Sequence, residues 1–180
     1  MAATHQYEIQ HDVQRTSQRH EIDRGFDSVS FEKYKKAKKE KKSFVIFAID
    51  MDNLKVVNDR FGHMNGDLAL RTIGEAMQAV AGKEDACARV GGDEYNVVGI
   101  GYTEDMAEQF VKDFNGYLED FNEESELPYL VKASVGYCLL ESEKKRDLED
   151  CVNAADGKLY EYKRDKKKKK LDNVLREMEG

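Results

Sequence analysis

The stretch Phe44-Val45-Ile46-Phe47-Ala48-Ile49-Asp50-Met51-Asp52-Asn53 decides the fold. Its apolar run, rich in β-branched and aromatic residues, is too short to cross a bilayer and reads as a central strand covered on both faces. Upstream, Phe31, Tyr34 and Ala37 recur at helical spacing among lysines and predict an amphipathic helix from Ser28 to Lys42. Downstream, Leu54 to Phe61 has the length of two helical turns and stops at Gly62. Asn65 is expected to cap the next helix, where Leu70, Ile73, Met77 and Val80 form an apolar stripe with Ala69 and Ala76 beside it.

Cys87 to Val90 and Tyr95 to Ile100 read as short strands around the Gly91-Gly92 corner, a hairpin. Thr103 then caps a helix that begins with Glu104 and Asp105, where acids suit the dipole, and Met106, Phe110, Phe114, Tyr117 and Phe121 are expected toward the core. Tyr129 to Leu140 is predicted as the last strand. Leu148, Cys151, Val152, Ala155, Leu159 and Tyr162 mark a final helix, followed by lysines and a short amphipathic tail around Leu171, Val174 and Leu175. Helix, strand, helix, strand, strand, helix, strand, helix is the order of an α/β sandwich of the ferredoxin-like or palm type, a central, mainly antiparallel sheet with helices packed on it.

The 180 residues suit one domain, with 40% hydrophobic residues grouped into runs and stripes rather than scattered. We expect a polar lead-in over residues 1–27, the folded domain over 28–165 and a Lys-rich tail over 166–180. A net charge of −7 argues against a general nucleic-acid binder, and the clusters Lys33 to Lys42 and Lys163 to Lys170 read as solvated helix faces. No segment is long enough to span a membrane and no signal peptide opens the chain, so a cytoplasmic protein without membrane contact is expected. Cys87, Cys138 and Cys151 contain no C-x-x-C pair and read as small buried hydrophobes in a reducing compartment.

Chemistry concentrates in the carboxylates. Asp50 and Asp52 lie just beyond the C-terminal end of the most apolar strand, the place where ligands bind in open α/β sheets. We expect them on opposite sides of the chain, one facing a site and the other capping the following helix. Asp93-Glu94 forms a second acidic group at the hairpin corner, where Gly91 and Gly92 let the backbone approach a bulky anion. Two acidic corners from adjacent strands, with no His or Cys ligand nearby, suit a hard divalent cation completed by water and substrate phosphate.

Gly91-Gly92-Asp93-Glu94-Tyr95 resembles the signature of GGDEF domains, the diguanylate cyclases. Further ordered motifs carry the resemblance: Asp50-Met51-Asp52-Asn53-Leu54-Lys55 for D-x-D-x-F-K, then Asn58-Asp59, Phe61-Gly62-His63 and Gly66-Asp67. Arg89 precedes the signature, Ser134-Val135-Gly136 stands for the S-I-G strand, and Ala155-Asp156, Tyr160 and Lys163 for the A-D-x-x-L-Y-x-x-K helix. The resemblance implies that Asp50, the Met51 carbonyl, Asp93 and Glu94 hold Mg²⁺ (or Mn²⁺) on the phosphates of GTP. It implies that Asn58 and Asp67 read the guanine edge, that His63 lies near the nucleotide, and that Gly91 and Gly92 leave room for it. Lys55 and Lys163 would neutralise phosphate charge, and Asp93 or Glu94 would assist catalysis by deprotonating a 3′-hydroxyl. Two protomers would each present one GTP, so a homodimer is expected, with an upstream sensor domain in the full-length protein. The alternative is a degenerate GGDEF domain that binds GTP or a protein partner without catalysis.

The chain departs from the family at several positions. The leading D-x-L-T-G-L-x-N-R motif is degraded to Asp23-Arg24-Gly25-Phe26-Asp27-Ser28-Val29, Leu54 and Tyr95 replace Phe, and Lys167 stands where a phosphate-binding Arg is common. The R-x-x-D motif of the family's inhibitory product site becomes Gly82 and Asp85, with its Arg lost. Weak product inhibition is the expected consequence.

Overall fold

The computed structural model describes residues 26–143 and 147–179, with side chains to residue 168. Of the lead-in expected over residues 1–27, residues 1–25 lie outside these, as do the apolar side chains of the tail, while residues 26 and 27 already belong to the first helix. Helix α1 runs over 26–40 and is followed by β1 (Phe44–Met51), α2 (Leu54–Phe61), α3 (His63–Val80), β2 (Ala86–Arg89), β3 (Glu94–Ile100), α4 (Glu104–Glu124), β4 (Ala133–Leu140) and α5 (Leu148–Glu179). The strands form one sheet in the order β2-β3-β1-β4, and every neighbouring pair is antiparallel. This is the split βαβ arrangement expected from the sequence: the α2–α3 and α4 connections each pass over a strand that belongs to the other half.

β1 is paired along both edges and covered by helices on both faces, so its run from Phe44 to Ile49 is buried throughout. Alternation divides that run between two cores. Val45, Phe47, Ile49 and Met51 pack with Ile73 and Met77 of α3 and with Phe110, Phe114 and Leu118 of α4. Phe44, Ile46 and Ala48 face the other way, toward Ala37 of α1 and Cys151 and Ala155 of α5. Phe47 stacks on Phe110 with ring centroids 4.0 Å apart, tying the central strand to α4.

Several boundaries and faces differ from the sequence reading. Asn65 does not cap α3; Gly62, at φ +85°, joins α2 to α3 in a single residue, and Asn65 lies in the first turn with its Nδ2 donating to the Phe61 carbonyl at 2.7 Å. The last strand starts at Ala133 rather than Tyr129. Val131 is buried just before it, but its backbone N–H and carbonyl are satisfied by the side-chain amide of Asn122, both at 2.8 Å, instead of by a strand. Phe31, Met106 and Tyr162 are exposed, and their helices bury Phe26, Ala107 and Ala155. Thr103 caps α4 as expected, accepting from the Met106 N–H.

Candidate active site

The β1–β3 register builds the acidic corner. Asp50 lies directly opposite Glu94, and the Met51 N–H donates to the Asp93 carbonyl at 2.9 Å, so the end of the central strand and the hairpin corner are joined through backbone. The corner is held open from the other side by Arg89, whose guanidinium donates to the carbonyls of Gly91 (3.2 Å) and Gly92 (2.7 Å). A Cβ at Gly91 would collide with the Glu94 carboxylate, whereas one at Gly92 would point into open space. Gly91 thus makes room for the Glu94 side chain itself, and Gly92 is the residue left open to a ligand.

Asp50 and Asp52 occupy the same side of the sheet, correcting the expectation of opposite sides. Residues two apart on a strand share a face, and this one is covered by α5. Asp50 pairs with Lys163 and Asp52 with Lys166, the latter at 2.8 Å. Nor does Asp52 cap α2: its Oδ1 accepts from the buried Ser134 hydroxyl at 2.7 Å, and the capping position is taken by Asn53 in the left-handed region at φ +61°, without a side-chain cap.

The electrostatics of Asp50 follow from its place. Burial pushes its carboxyl up to about 6, and the neighbouring charges of Asp93 and Glu94 act in the same direction, while Lys163 opposes them. Its Oδ1 is buried and takes no well-directed hydrogen bond; the Lys163 ammonium is the compensating charge. Among the described residues no three His, Cys, Asp or Glu side chains converge closely enough to hold a metal by themselves. The chemistry of the donors nevertheless fits Mg²⁺, since all are oxygens, one of them, Asp50 Oδ1, is a buried atom paired with a cation, and such an ion keeps waters and substrate oxygens in its shell.

A second cluster lies on the α2–α3 hairpin. A Cβ at Gly66 would collide with Asn58 Oδ1, so glycine there is what allows Asn58 to lie against the first turn of α3, next to the exposed Asp67. Lys55 and His63 stand exposed on α2 and at the start of α3, and neither makes a hydrogen bond or ion pair among the described residues. Lys163 is the basic candidate that the fold brings directly to the acidic corner. Sequence reasoning gave no site role to Arg89, Ser134 or Lys166. Arg89 had a signal, its position two residues before Gly91, but the pair of Lys166 with Asp52 joins residues 114 apart and has no local signature.

Comparison with known proteins agrees with this geometry. The family model described as "Diguanylate cyclase, GGDEF domain" matches residues 24–169. The chain is 32% identical over 124 residues to the probable diguanylate cyclase DgcJ of Escherichia coli K12, covering 69% of this chain and 24% of that protein. It is also 32% identical over 130 residues to the diguanylate cyclase DgcP of the same organism, covering 69% of this chain and 36% of that protein. It therefore spans only about a quarter to a third of these relatives. Among solved structures, the active GGEEF domain of a Vibrio cholerae diguanylate cyclase superposes with a TM-score of 0.65 at 27% identity, over 74% of this chain and 85% of that one. The GGDEF domain of DgcB from Caulobacter crescentus shares the fold with a TM-score of 0.70 at 20% identity, over 78% and 84% of the two chains. The signature at the β2–β3 corner, the acidic end of β1 and the matches along 24–169 together place this chain in the GGDEF-domain family of diguanylate cyclases.

Proposed function

We propose that the domain over 28–165 condenses two GTP into cyclic di-GMP and pyrophosphate, as a homodimer in which each protomer presents one nucleotide. The observation that carries this reading is the β1–β3 register, which sets Asp50 opposite Glu94 and bonds Met51 to Asp93, assembling carboxylates from two distant motifs at one strand end. Asp50, Asp93, Glu94 and the Met51 carbonyl would hold a divalent cation on the triphosphate. When bound, it supplies charge neutralisation and Lewis acidity at the phosphoryl oxygens.

The remaining roles belong to the chain's own groups. The Asp67 carboxylate accepts from guanine N1 and N2, and Asn58 beside it completes the edge; adenine lacks that donor pair. Lys55 and Lys163 balance the phosphate charge, His63 stands at the nucleotide's side, and Gly92 leaves its path clear. Asp93 or Glu94 takes the proton from the 3′-hydroxyl. That oxygen forms a bond to the α-phosphorus of the partner protomer's nucleotide as the bond to pyrophosphate breaks, and the second half-reaction closes the ring. We place the domain in the cytoplasm, downstream of a sensor in the full-length protein.

Incubation with GTP and Mg²⁺, followed by chromatography of the nucleotides, tests the reading: cyclic di-GMP and pyrophosphate are expected. Bound but unconverted GTP favours the non-catalytic alternative. Comparable consumption of ATP and GTP overturns the role of Asp67, whose loss of a paired acceptor is worth roughly 1–3 kcal/mol against the wrong base.

A further inference from the structure

Two lysines one turn apart on α5 meet the two aspartates at the end of β1, but they are held very differently. Lys163 contacts Asp50. Lys166 donates to Asp52 Oδ2 at 2.8 Å, to the Ala133 carbonyl at 3.1 Å and to the Ser134 hydroxyl at 3.3 Å, and its ammonium lies 4.7 Å from the Tyr162 ring centroid. Ser134 is fully buried and donates in turn to Asp52, so the group is a closed network joining α5 to the ends of both β1 and β4.

α5 is also attached to the sheet further toward its N-terminus, where the Lys158 ammonium lies 4.7 Å from the Tyr137 ring centroid. At Gly136 of β4 a Cβ would collide with the Ala155 carbonyl and the Leu159 backbone, so the helix axis rides directly on the strand there. Lys163 lies between that contact and Lys166. Beyond Leu159 the α5 side chains to residue 168 are partly or fully exposed, so apolar burial does little to hold this part of the helix down.

We propose that Lys166 is a positioning residue: it fastens the distal half of α5 to the sheet and so presents Lys163 to the acidic corner. Lys166 itself does not touch the nucleotide. The inference rests on the nucleotide site proposed above for its functional consequence, but the latch is a property of the free protein.

The test uses the whole chain and two measurements, amide hydrogen exchange of the free protein and calorimetric titration with Mg²⁺ and 3′-deoxy-GTP, which lacks the attacking hydroxyl. In Lys166→Met, exchange of the amides after Leu159 should accelerate about tenfold or more while β1 and α3 stay unchanged, as expected for local opening. Binding of 3′-deoxy-GTP should weaken about five- to twentyfold, the loss expected when a phosphate-binding charge is held in place only part of the time. Lys166→Arg, able to keep the Asp52 pair, should restore most of both. Adding Asp52→Asn to Lys166→Met should weaken binding little further, because the two residues act as one unit.

Unchanged exchange in Lys166→Met overturns the latch. Weakened binding with unchanged exchange also overturns it, and makes Lys166 a direct phosphate ligand. If the wild type binds no 3′-deoxy-GTP, the nucleotide reading fails, and the exchange comparison still decides whether Lys166 holds the helix.

Discussion

The β2–β3 hairpin carries carboxylates at both of its ends, and the two ends treat them in opposite ways. At the corner end, Asp50 is half-buried beside Asp93 and Glu94 and its carboxyl is pushed up to about 6, with a lysine in ion-pair contact as its compensation. At the open end, Asp85 Oδ2 accepts from the Gly82 N–H at 2.7 Å and from the Tyr102 hydroxyl at 2.5 Å, and burial together with that carboxylate raises the Tyr102 hydroxyl well above its ordinary range. One end crowds like charges around a buried Asp50 Oδ1 that takes no well-directed hydrogen bond. The other consumes its charge in local structure. On the proposed reading, the carboxylates that would bind a cation and phosphates keep an electrostatic demand for them, whereas a structural carboxylate is satisfied by its own surroundings.

The largest expected effect breaks the corner end. Asp93→Ala should cut cyclic di-GMP formation by about a thousandfold or more, as loss of a metal-binding or proton-accepting group does. The far-ultraviolet circular dichroism and melting temperature should be nearly unchanged, because the residue is a corner group and not part of the core. Product formation at the wild-type rate would remove Asp93 from the site.

Next in size is the response to pH. The folded carboxyl of Asp50 titrates near 6, above an ordinary carboxylate, so between about pH 4 and 6 the folded metal-free protein binds more protons than the unfolded chain. This group's contribution to stability therefore grows as pH falls through that window and is lost as pH rises through it. The ionised form is the one a cation needs. Consequently kcat/KM for GTP should fall about tenfold per pH unit below about 6, while urea midpoints corrected for the other carboxylates move the opposite way. Parallel acid losses in both would contradict the assignment.

At the open end the outcome should reverse. Asp85→Ala leaves the Tyr102 hydroxyl and the Gly82 N–H without their acceptor, and should cost about 1–3 kcal/mol of stability in urea unfolding. The GTP turnover of the folded protein should stay within about twofold, since surface changes away from a site rarely perturb it more. A large loss of turnover would mean that the two ends are coupled.

A smaller effect concerns cyclic di-GMP itself. With Asp85 engaged internally and Gly82 in place of the motif's Arg, product should inhibit only weakly, and no guanidinium is available there to stack on guanine or fork to its acceptors. Gly82→Arg should raise product affinity only if Tyr102 releases Asp85, because a Cβ at residue 82 already lies 3.1 Å from Asp85 Oδ2. Tight calorimetric binding of cyclic di-GMP to the wild type at Asp85 would show the inference wrong. The smallest effect expected is that of Tyr95→Phe. The buried Tyr95 hydroxyl donates to the Leu70 carbonyl at 2.7 Å, and its loss strands no donor, so denaturant unfolding should register about 1 kcal/mol.

Much of this molecule was legible in the residues themselves. The apolar run of β1, the Gly91-Gly92 corner, the Thr103 cap and the ordered motifs of the GGDEF resemblance are local patterns, and local sterics and hydrogen bonding suffice to specify them. What only the tertiary structure decided depends on register and on which face another element covers. Asp50 and Asp52 share a side of β1, but that the side is roofed by α5, and that Lys163 and Lys166 descend onto it, follows from packing between segments over a hundred residues apart. The same holds for helix faces. Periodicity restricts the buried arc only loosely, so Phe31, Met106 and Tyr162 were expected inward along with Ala155, and it was the position of the sheet that left those three exposed while burying Phe26 and Ala107.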